Sequence, residues 1–146
     1  METNREIIPA VAAAIFNNKG EVLLQRRKDV NQWGIISGHV EFGETVTNAI
    51  LREIQEETNT SAVIKRFIGI YSSPQSQTYH YKDRTVQYVT SYFEVALNND
   101  IPDNYSREET LELRYFRPDA LPRELALINP YWLQDALNRH DGPFMR

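Results

Sequence analysis

The stretch from Gly38 to Thr58, GHVEFGETVTNAILREIQEET, contains five glutamates and a single arginine. The chain as a whole has mixed charge, with 20 acidic and 16 basic residues. Carboxylates three or four residues apart on a helix lie only about 5–6 Å from each other, so they repel. This much negative charge in one loop and one helix indicates that a positively charged partner neutralises it.

The second half of this stretch is predicted to be a helix over Val46–Thr58. Thr45 is a favourable N-cap residue, and the segment contains neither glycine nor proline. With about 100° of rotation per residue, Ala49, Ile50 and Ile54 form an apolar stripe that must face the core. The opposite side of the helix is expected to carry Thr47, Asn48, Leu51, Gln55 and Thr58.

The acidic residues of this helix fall on its apolar side. Glu53 and Glu57 lie within the stripe and Glu56 lies beside it, which conflicts with the simpler interpretation of a solvated acidic face. A carboxylate turned inward without a partner loses hydration worth several kcal/mol or takes up a proton. Arg52 cannot neutralise three acids, and it precedes Glu56 by four residues, the weaker order for a helical ion pair. Clustered carboxylates suit a hard cation, so we expect Mg²⁺ or Mn²⁺.

The loop before the helix is bracketed by Gly38 and Gly43. Glycine lets the backbone approach a ligand closely, and the start of a helix offers free N–H groups to an anion. Glycines in turns are more often purely conformational. The loop therefore gains its significance from the acids beside it.

Length and composition restrict the class of protein. A chain of 146 residues suits a single domain over 1–146. Cysteine is absent, which excludes disulfides and thiolate metal sites and fits a reducing compartment. No apolar run approaches the roughly 20 residues of a membrane span, so a cytoplasmic protein is expected. With a pI near 5.4, nucleic acid is an unfavourable partner. The basic cluster Arg26-Arg27-Lys28 is either a solvated strand end or a phosphate contact.

The remaining sequence predicts a mixed α/β protein. Ile7–Phe16 and Glu21–Arg27 flank turn-forming residues and are expected to form a hairpin, followed by a loop up to Trp33. Further strands are expected at Val63–Tyr71, at Thr85–Leu97 as an internal strand, and at Leu111–Phe116, with an exposed loop at 98–109. Beyond Pro118 the pattern is helical, with a helix capped by Asn129, begun at Pro130 and ended by Gly142-Pro143.

The charged stretch resembles the signature of the Nudix hydrolase superfamily. That signature reads Gly, five residues, Glu, seven residues, Arg-Glu-apolar-any-Glu-Glu, one residue, Gly, apolar. The matching residues are Gly38, Glu44, Arg52, Glu53, Ile54, Glu56 and Glu57. Asn59 replaces the closing glycine, and asparagine is the next best residue for the left-handed turn that ends a helix. Thr60 replaces the apolar residue, and Ile36-Ser37 stands where relatives often carry Pro-Gly.

The resemblance implies an α/β Nudix fold, in which a mixed β-sheet is sandwiched between helices (α/β/α). It also implies a metal-dependent hydrolase that cleaves a phosphoanhydride bond in a nucleoside diphosphate linked to another moiety. ADP-ribose, a nucleotide sugar, a dinucleotide and a modified nucleoside triphosphate all fit as the small-molecule partner. A homodimer is compatible with the sequence.

The resemblance further assigns roles to the metal-binding side chains. Glu53 and Glu57 are expected to be the main ligands of Mg²⁺ or Mn²⁺. Glu56 is expected to bind a second ion or to support the first, and so also belongs to the catalytic set. The carbonyl of Gly38 is expected to be a further ligand.

The other catalytic roles concern proton transfer and positioning. Glu53 is the first choice for the general base. Arg52 is expected to hold the glutamates in place, and Glu44 to bind a metal-bound water or to brace the loop. Because the base lies outside the signature in several relatives, Glu108 and Glu109 are alternatives, although an exposed loop acid is the simpler interpretation of both.

Two functions from other classes remain open at this point. One is a non-catalytic Nudix-fold module that senses a nucleotide metabolite. The other is a protein that binds RNA ends, for which the expected basic surface is missing. The complete set of acids favours catalysis over the sensing module.

Aromatic and histidine side chains carry weaker signals. One or two of the tyrosines near the site could stack on a base, although core packing is the simpler role for each; the tyrosines concerned are Tyr71, Tyr79, Tyr81, Tyr88 and Tyr92. Trp33 and Trp132 are also expected to pack in the core. His39 is interpreted as a loop filler, and His80 and His140 lack the spacing of a zinc site.

Overall fold

The computed structural model describes residues 4–146. Its strands are β1 (Asn4–Ile15), β2 (Val22–Arg27), β3 (Gln32–Gly34), β4 (Ile36–His39), β5 (Ala62–Tyr71), β6 (Thr78–His80), β7 (Arg84–Leu97), β8 (Thr110–Phe116) and β9 (Phe144–Met145). Its helices are α1 (Val46–Thr58), α2 (Pro74–Gln77) and α3 (Trp132–Leu137). Within residues 4–146, no helix is both long and apolar enough to cross a membrane.

The strands form two sheets. A six-stranded sheet has the order β4-β1-β7-β5-β9, with β6 paired to β7, and a three-stranded sheet has the order β3-β2-β8. The larger sheet is mixed, because β1 runs parallel to β7 and β5 runs parallel to β9 while the other pairs are antiparallel. The predicted mixed sheet is confirmed.

Helices α1 and α3 cover opposite faces of the larger sheet. Successive side chains of a strand point to opposite faces. On β1, Val11 packs in a core cluster with Ile50 and Ile54 of α1, whereas Ala12 packs in a second cluster with Trp132 of α3. This alternation confirms the predicted arrangement of a mixed sheet between helices.

Helix α1 has the predicted bounds and both predicted ends. Thr45 is the N-cap, and its hydroxyl oxygen accepts a hydrogen bond from the backbone N–H of Asn48 at 3.1 Å. Asn59 ends the helix with φ 56°, and its backbone N–H donates to the carbonyl of Gln55 at 3.0 Å. Asparagine therefore performs the conformational role of the closing glycine.

One residue of α1 lies on the wrong side of the predicted helix. Thr58 was expected to face away from the core, yet it is fully buried. Its hydroxyl donates to the carbonyl of Ile54 at 2.7 Å, which satisfies the polar group inside the protein. The helical wheel alone assigns this side of the helix to solvent.

The predicted hairpin of β1 and β2 is wrong, although the turn between them exists. Asn17 donates to the carbonyl of Glu21 at 3.0 Å, and Gly20 has φ 75°. Beyond the turn, Phe16 and Val22 form an isolated bridge, after which the strands enter different sheets. Since β1 is buried on both faces along its second half, it is an internal strand and pairs with β4 and β7 instead.

The other long strands match their predictions. Strands β5, β7 and β8 agree with the predicted segments to within one residue at each end, and β7 is internal, between β1 and β5. Trp33, predicted in a loop, lies in β3, which pairs with β2. The short elements α2, β6 and β9 were not predicted, because two to four residues carry too little periodicity to reveal them.

The predicted C-terminal helix is much shorter than expected. It begins at Trp132, and Tyr131 rather than Asn129 is its N-cap. It ends at Leu137, because the side chain of Asn138 accepts hydrogen bonds from the backbone N–H groups of the two residues after Arg139, at 3.2 Å each. Local bonds of this kind compete with helical ones. The Gly-Pro pair therefore precedes β9 instead of ending a helix.

Candidate active site

Two carboxylates of α1 point into the protein. The side chains of Glu53 and Glu57 are 15% and 9% exposed, whereas that of Glu56 is 54% exposed. Burial raises the pKa of Glu53, although its contact with Arg52 opposes the shift. Burial likewise raises the pKa of Glu57 against the hydrogen bond from Thr110. Glu56, predicted beside the apolar stripe, is more exposed and lies at the edge of the site.

Strand β4 comes into close contact with Glu53. A Cβ atom built on Gly38 would overlap the carboxylate of Glu53. Because glycine has no side chain, the strand and the helix can approach at this point. The backbone of Gly38 thus lies directly beside the carboxylate with which the sequence associates it.

Glu57 is held by two neutral groups from the smaller sheet. The side chains of Gln25 and Thr110 donate to its Oε2 at 2.7 and 2.9 Å. Both bonds reach the same oxygen, so Oε1 retains its capacity to bind a ligand. Neither partner was found by sequence reasoning. The available signal was Gln25 itself, a polar residue at the end of the buried run Val22–Leu24.

Arg52 connects the loop to the helix. Its Nε and Nη2 donate to the two carboxylate oxygens of Glu44 at 2.7 and 3.0 Å, and Nη2 also donates to the carbonyl of His39 at 3.0 Å. Its Nη1 donates to Glu53 at 3.1 Å and to Glu56 at 3.3 Å. The bond to Arg52 lowers the pKa of Glu44.

Arg52 contacts more acids than its sequence position predicts. The predicted weak pair with Glu56 forms, and the guanidinium also lies 3.7 Å from Glu41. It thereby contacts four carboxylates, those of Glu41, Glu44, Glu53 and Glu56. One positive charge among so many acids still leaves the cluster strongly negative. Arg52 does not contact Glu57, whose hydrogen-bond donors come from the smaller sheet.

A cleft of about 440 Å³ opens beside this cluster. Glu41, Glu53 and Gly38 line it, together with Arg27 and Glu109. The five tyrosines noted in the sequence also line it: Tyr71, Tyr79, Tyr81, Tyr88 and Tyr92. The structure therefore joins the acidic cluster and the aromatic side chains in one site of the size that small ligands occupy.

The two acids considered as alternative bases differ in position. Glu109 lines the main cleft, and its charge contributes to the raised pKa of Glu57, whose first cause is burial. Glu108 lines a separate hollow of about 290 Å³ with Lys28. Arg27, from the basic cluster, lies in the main cleft and is paired with Asp29 at 3.0 Å.

The tryptophans and His39 behave differently. Trp33 and Trp132 are each 6% exposed and pack in the core, as predicted. His39 is not a loop filler. It belongs to β4, and its ring centroid lies 5.4 Å from that of Tyr88.

The donor set fits a hard divalent cation. Among the described residues, no group of three or more histidine, aspartate or glutamate side chains is already arranged to hold a metal ion. Mg²⁺ usually takes one or two carboxylates from the protein and completes its shell with water and substrate phosphates. Glu53 and Glu57 lie one helical turn apart and offer oxygen donors only, so they would supply the protein's part of such a shell.

Comparison with known proteins places the chain in a family. A model of the NUDIX domain matches residues 6–136. The chain belongs to the Nudix family. This Nudix protein is 43% identical over 70 residues to an ADP-ribose pyrophosphatase of Methanocaldococcus jannaschii, a match covering 45% of this chain and 41% of that protein. It is also 40% identical over 63 residues to a putative 8-oxo-dGTP diphosphatase of Bacillus subtilis, a match covering 43% of this chain and 42% of that protein. The matches thus span about two fifths of the length of these two relatives.

Solved structures show the same fold. A structure of a UDP-X diphosphatase superposes with a TM-score of 0.77 at 24% identity, covering 100% of this chain and 68% of that one. An ADP-ribose pyrophosphatase of Streptococcus suis superposes with a TM-score of 0.72 at 22% identity, covering 95% and 97%. The Nudix fold of this protein is thereby established along its length.

Proposed function

We propose that this Nudix protein is a divalent-metal-dependent pyrophosphohydrolase that cleaves a phosphoanhydride bond in a nucleoside diphosphate linked to another moiety. The observation that carries the proposal is the pair Glu53 and Glu57. Both carboxylates are turned inward, Glu53 lines the cleft, and burial raises the pKa of each. Perturbed carboxylates in a cleft are typical of functional sites.

The residues around the pair have distinct roles in this proposal. Glu53 and Glu57 hold the cation, with the backbone of Gly38 beside them and Glu56 at the rim. A bound Mg²⁺ or Mn²⁺ would neutralise phosphate charge and lower the pKa of a coordinated water. Phosphoryl transfer needs positioning and charge neutralisation more than covalent catalysis, so a cluster of ligands without a nucleophile is sufficient.

Arg52 and Glu44 position the ligands. The bidentate pair of Arg52 with Glu44 fixes the guanidinium, which in turn holds the carboxylate of Glu53. Glu44 also accepts a hydrogen bond from the backbone of Glu41 at 2.9 Å and so braces the loop. Glu53 remains the first choice for the general base, and the position of Glu109 in the cleft makes it the better of the two alternatives.

The substrate class rests on the named relatives and on charge. Two of the proteins that resemble this chain are named for ADP-ribose and for a UDP derivative, and both names describe a nucleoside diphosphate joined to another group. Others are named for 8-oxo-dGTP and for RNA. The net charge of −4 opposes a long nucleic acid. A small nucleotide derivative bound through a cation fits the cleft best.

The test is a hydrolysis panel. ADP-ribose, a UDP-sugar, a dinucleoside polyphosphate, an oxidised nucleoside triphosphate and a 5′-triphosphorylated RNA are incubated with Mg²⁺ or Mn²⁺, and phosphate-containing products are measured. We expect hydrolysis of at least one of the first three, and its loss with EDTA. A folded protein that is silent toward the whole panel in both metals would contradict the proposal and favour a sensing module. Hydrolysis confined to the RNA would reassign the substrate.

A further inference from the structure

The cleft extends to both sides of strand β4. Gly38 and His39 are consecutive residues of β4, and consecutive side chains of a strand point to opposite faces. Gly38 abuts the carboxylate of Glu53 on α1. The Nε2 atom of His39 lies 3.3 Å from the hydroxyl of Tyr88 on the other face. A ligand that occupies the whole cleft therefore passes over β4 from the carboxylates to an aromatic surface.

This surface, here called the tyrosine wall, consists of Tyr79, Tyr81 and Tyr88. Tyr79 of β6 lies opposite Val86 of β7, two residues before Tyr88, so Tyr79 and Tyr88 share a face. The rings of Tyr79 and Tyr81 are nearly parallel, at 17° and with centroids 6.4 Å apart. Tyr88 meets the ring of Tyr79 edge-on at 5.4 Å.

Hydrogen bonds fix the wall in place. The hydroxyls of Tyr81 and Tyr88 lie 2.8 Å apart. The hydroxyl of Tyr79 donates to the carbonyl of Leu127 at 3.1 Å. The guanidinium of Arg84 lies 5.6 Å from the ring centroid of Tyr81. With hydroxyls and rings held in this way, the wall is ordered before a ligand arrives, which reduces the entropy lost on binding.

The other two tyrosines of the cleft have a different role. Tyr71 and Tyr92 are 4% and 1% exposed. The hydroxyl of Tyr71 donates to Asp135 at 2.5 Å, and that of Tyr92 donates to the carbonyl of Trp132 at 3.0 Å. They are core residues that only border the cleft. Tyr81, by contrast, is 45% exposed, so core packing does not account for it.

Small side chains give the cleft its depth beside the wall. Ala10 of β1 lies between His39 of β4 and Thr90 of β7 in the sheet, and Ala12 follows on the same face. Both alanines line the cleft. The small side chains of the sheet therefore leave open space next to three aromatic rings, a shape that accommodates a flat group.

We propose that the tyrosine wall binds the nucleobase of the substrate, while the diphosphate extends over β4 toward Glu53. The inference rests on the proposed function, since that function supplies the diphosphate. Stacking on aromatic rings is favourable for every base, and Arg27 in the same cleft is placed to contact a phosphate. The tyrosine wall would therefore recognise the nucleobase of the substrate, and a sugar or alkyl group alone would not be enough.

The test is binding without metal, so that hydrolysis plays no part. Calorimetry in EDTA compares adenosine 5′-monophosphate and uridine 5′-monophosphate with ribose 5-phosphate, which has the same sugar and phosphate but no base. We expect both nucleotides to bind the wild-type protein about tenfold more tightly or better than ribose 5-phosphate. Most of this advantage should disappear in Tyr81→Leu, a substitution at an exposed side chain.

A matched control separates the wall from a general loss of aromatic surface. Tyr131 is 43% exposed, close to the value for Tyr81, and lies outside the residues that line the cleft. Tyr131→Leu should retain the full preference for nucleotides. Equal affinity for the three ligands, or a preference that survives both Tyr81→Leu and Tyr79→Leu, would overturn the inference.

The two proposals fail separately. A preference for nucleotides in a protein that hydrolyses nothing would leave the wall in place and refute the proposed function. Hydrolysis of a nucleoside diphosphate derivative by a protein without that preference would retain the function and refute the wall. Under the inference, Tyr81→Leu raises KM for ADP-ribose by about tenfold while kcat changes less.

Discussion

Buried carboxylates occur in two regions of this molecule, in opposite states. Asp135 on α3 is 1% exposed, and Arg146 donates to both of its oxygens at 2.9 and 2.8 Å, while Tyr71 donates at 2.5 Å. Burial would raise the pKa of Asp135, but these bonds outweigh it and the pKa is lowered. Glu57 on α1 has only the neutral donors Gln25 and Thr110, and its pKa is raised because burial prevails.

Under the proposed function, the difference is the one expected between a structural carboxylate and a ligand-binding one. Asp135 is more stable charged in the folded protein than in the unfolded chain, so its ionisation supports folding. Glu53 and Glu57 are less stable charged, so their ionisation opposes folding. Helix α1 retains them in an unfavourable state, which is the pattern expected when a ligand completes the site.

The largest expected effect is on the stability contributed by Asp135. Asp135→Asn removes the ionic partner of Arg146 and should clearly lower the free energy of unfolding at neutral pH, because the buried carboxylate of Asp135 accepts hydrogen bonds from Arg146 and Tyr71. Urea denaturation measures the change. Asp119→Asn is the control, because its pair with Arg117 is 68% exposed on both sides and should contribute little. Equal effects of the two substitutions would remove the contrast.

The next effect is on activity at the other pair. Glu53→Gln and Glu57→Gln should each lower the metal-dependent hydrolysis rate about tenfold or more, because a ligand is lost. Unfolding stability should stay the same or rise, because a poorly compensated buried charge is removed. Steady-state kinetics and urea denaturation on the same samples check both statements. Unchanged rates, or a loss of stability as large as that of Asp135→Asn, would show that these glutamates are structural.

A smaller effect is expected from the contact between β4 and α1. In Gly38→Ala the new methyl group would overlap the carboxylate of Glu53 and displace it, so the hydrolysis rate should fall by roughly threefold to tenfold. Gly34→Ala is the control, because its added Cβ would lie at an ordinary 3.6 Å from Ala126. The idea fails if the two variants are equally active.

The smallest effect is the pH dependence of the Asp135 pair. Because the folded pKa of Asp135 is lowered, its stabilising contribution is complete above the unfolded pKa of about 3.9 and is lost as the pH falls through the folded value. The difference in unfolding stability between the wild type and Asp135→Asn should therefore shrink from neutral pH to about pH 3. Urea midpoints at both pH values measure it, and a constant or widening difference would contradict the lowered pKa.

Sequence reasoning succeeded where the determinants are local. Thr45, the apolar positions Ile50 and Ile54, and Asn59 specify where α1 begins, which side it buries and where it ends, and all are close together in the chain. The same local rules placed Glu53 and Glu57 on the buried side. A helical wheel shows which side of a helix is buried without any knowledge of the elements that pack against it.

Sequence reasoning failed where strands from distant parts of the chain determine the surroundings of a side chain. The turn between β1 and β2 was correct, but turn chemistry does not specify which strands become neighbours. Gln25 and Thr110 reach Glu57 only because β2 and β8 pair beside α1. The tyrosine wall depends on the register that sets Tyr79 opposite Val86. None of these contacts leaves a periodic trace in the sequence.

The central claim is that Glu53 and Glu57 are buried without enough positive charge beside them because they bind a divalent cation. Calorimetric titration of Mn²⁺ into the wild type, Glu57→Gln and Asp135→Asn, each with adenosine 5′-(α,β-methylene)diphosphate present, tests it most directly. We predict that the wild type and folded Asp135→Asn take up Mn²⁺ with similar affinity, and that Glu57→Gln binds about tenfold more weakly or not at all. No Mn²⁺ uptake by the wild type, or unchanged uptake by Glu57→Gln, would contradict it.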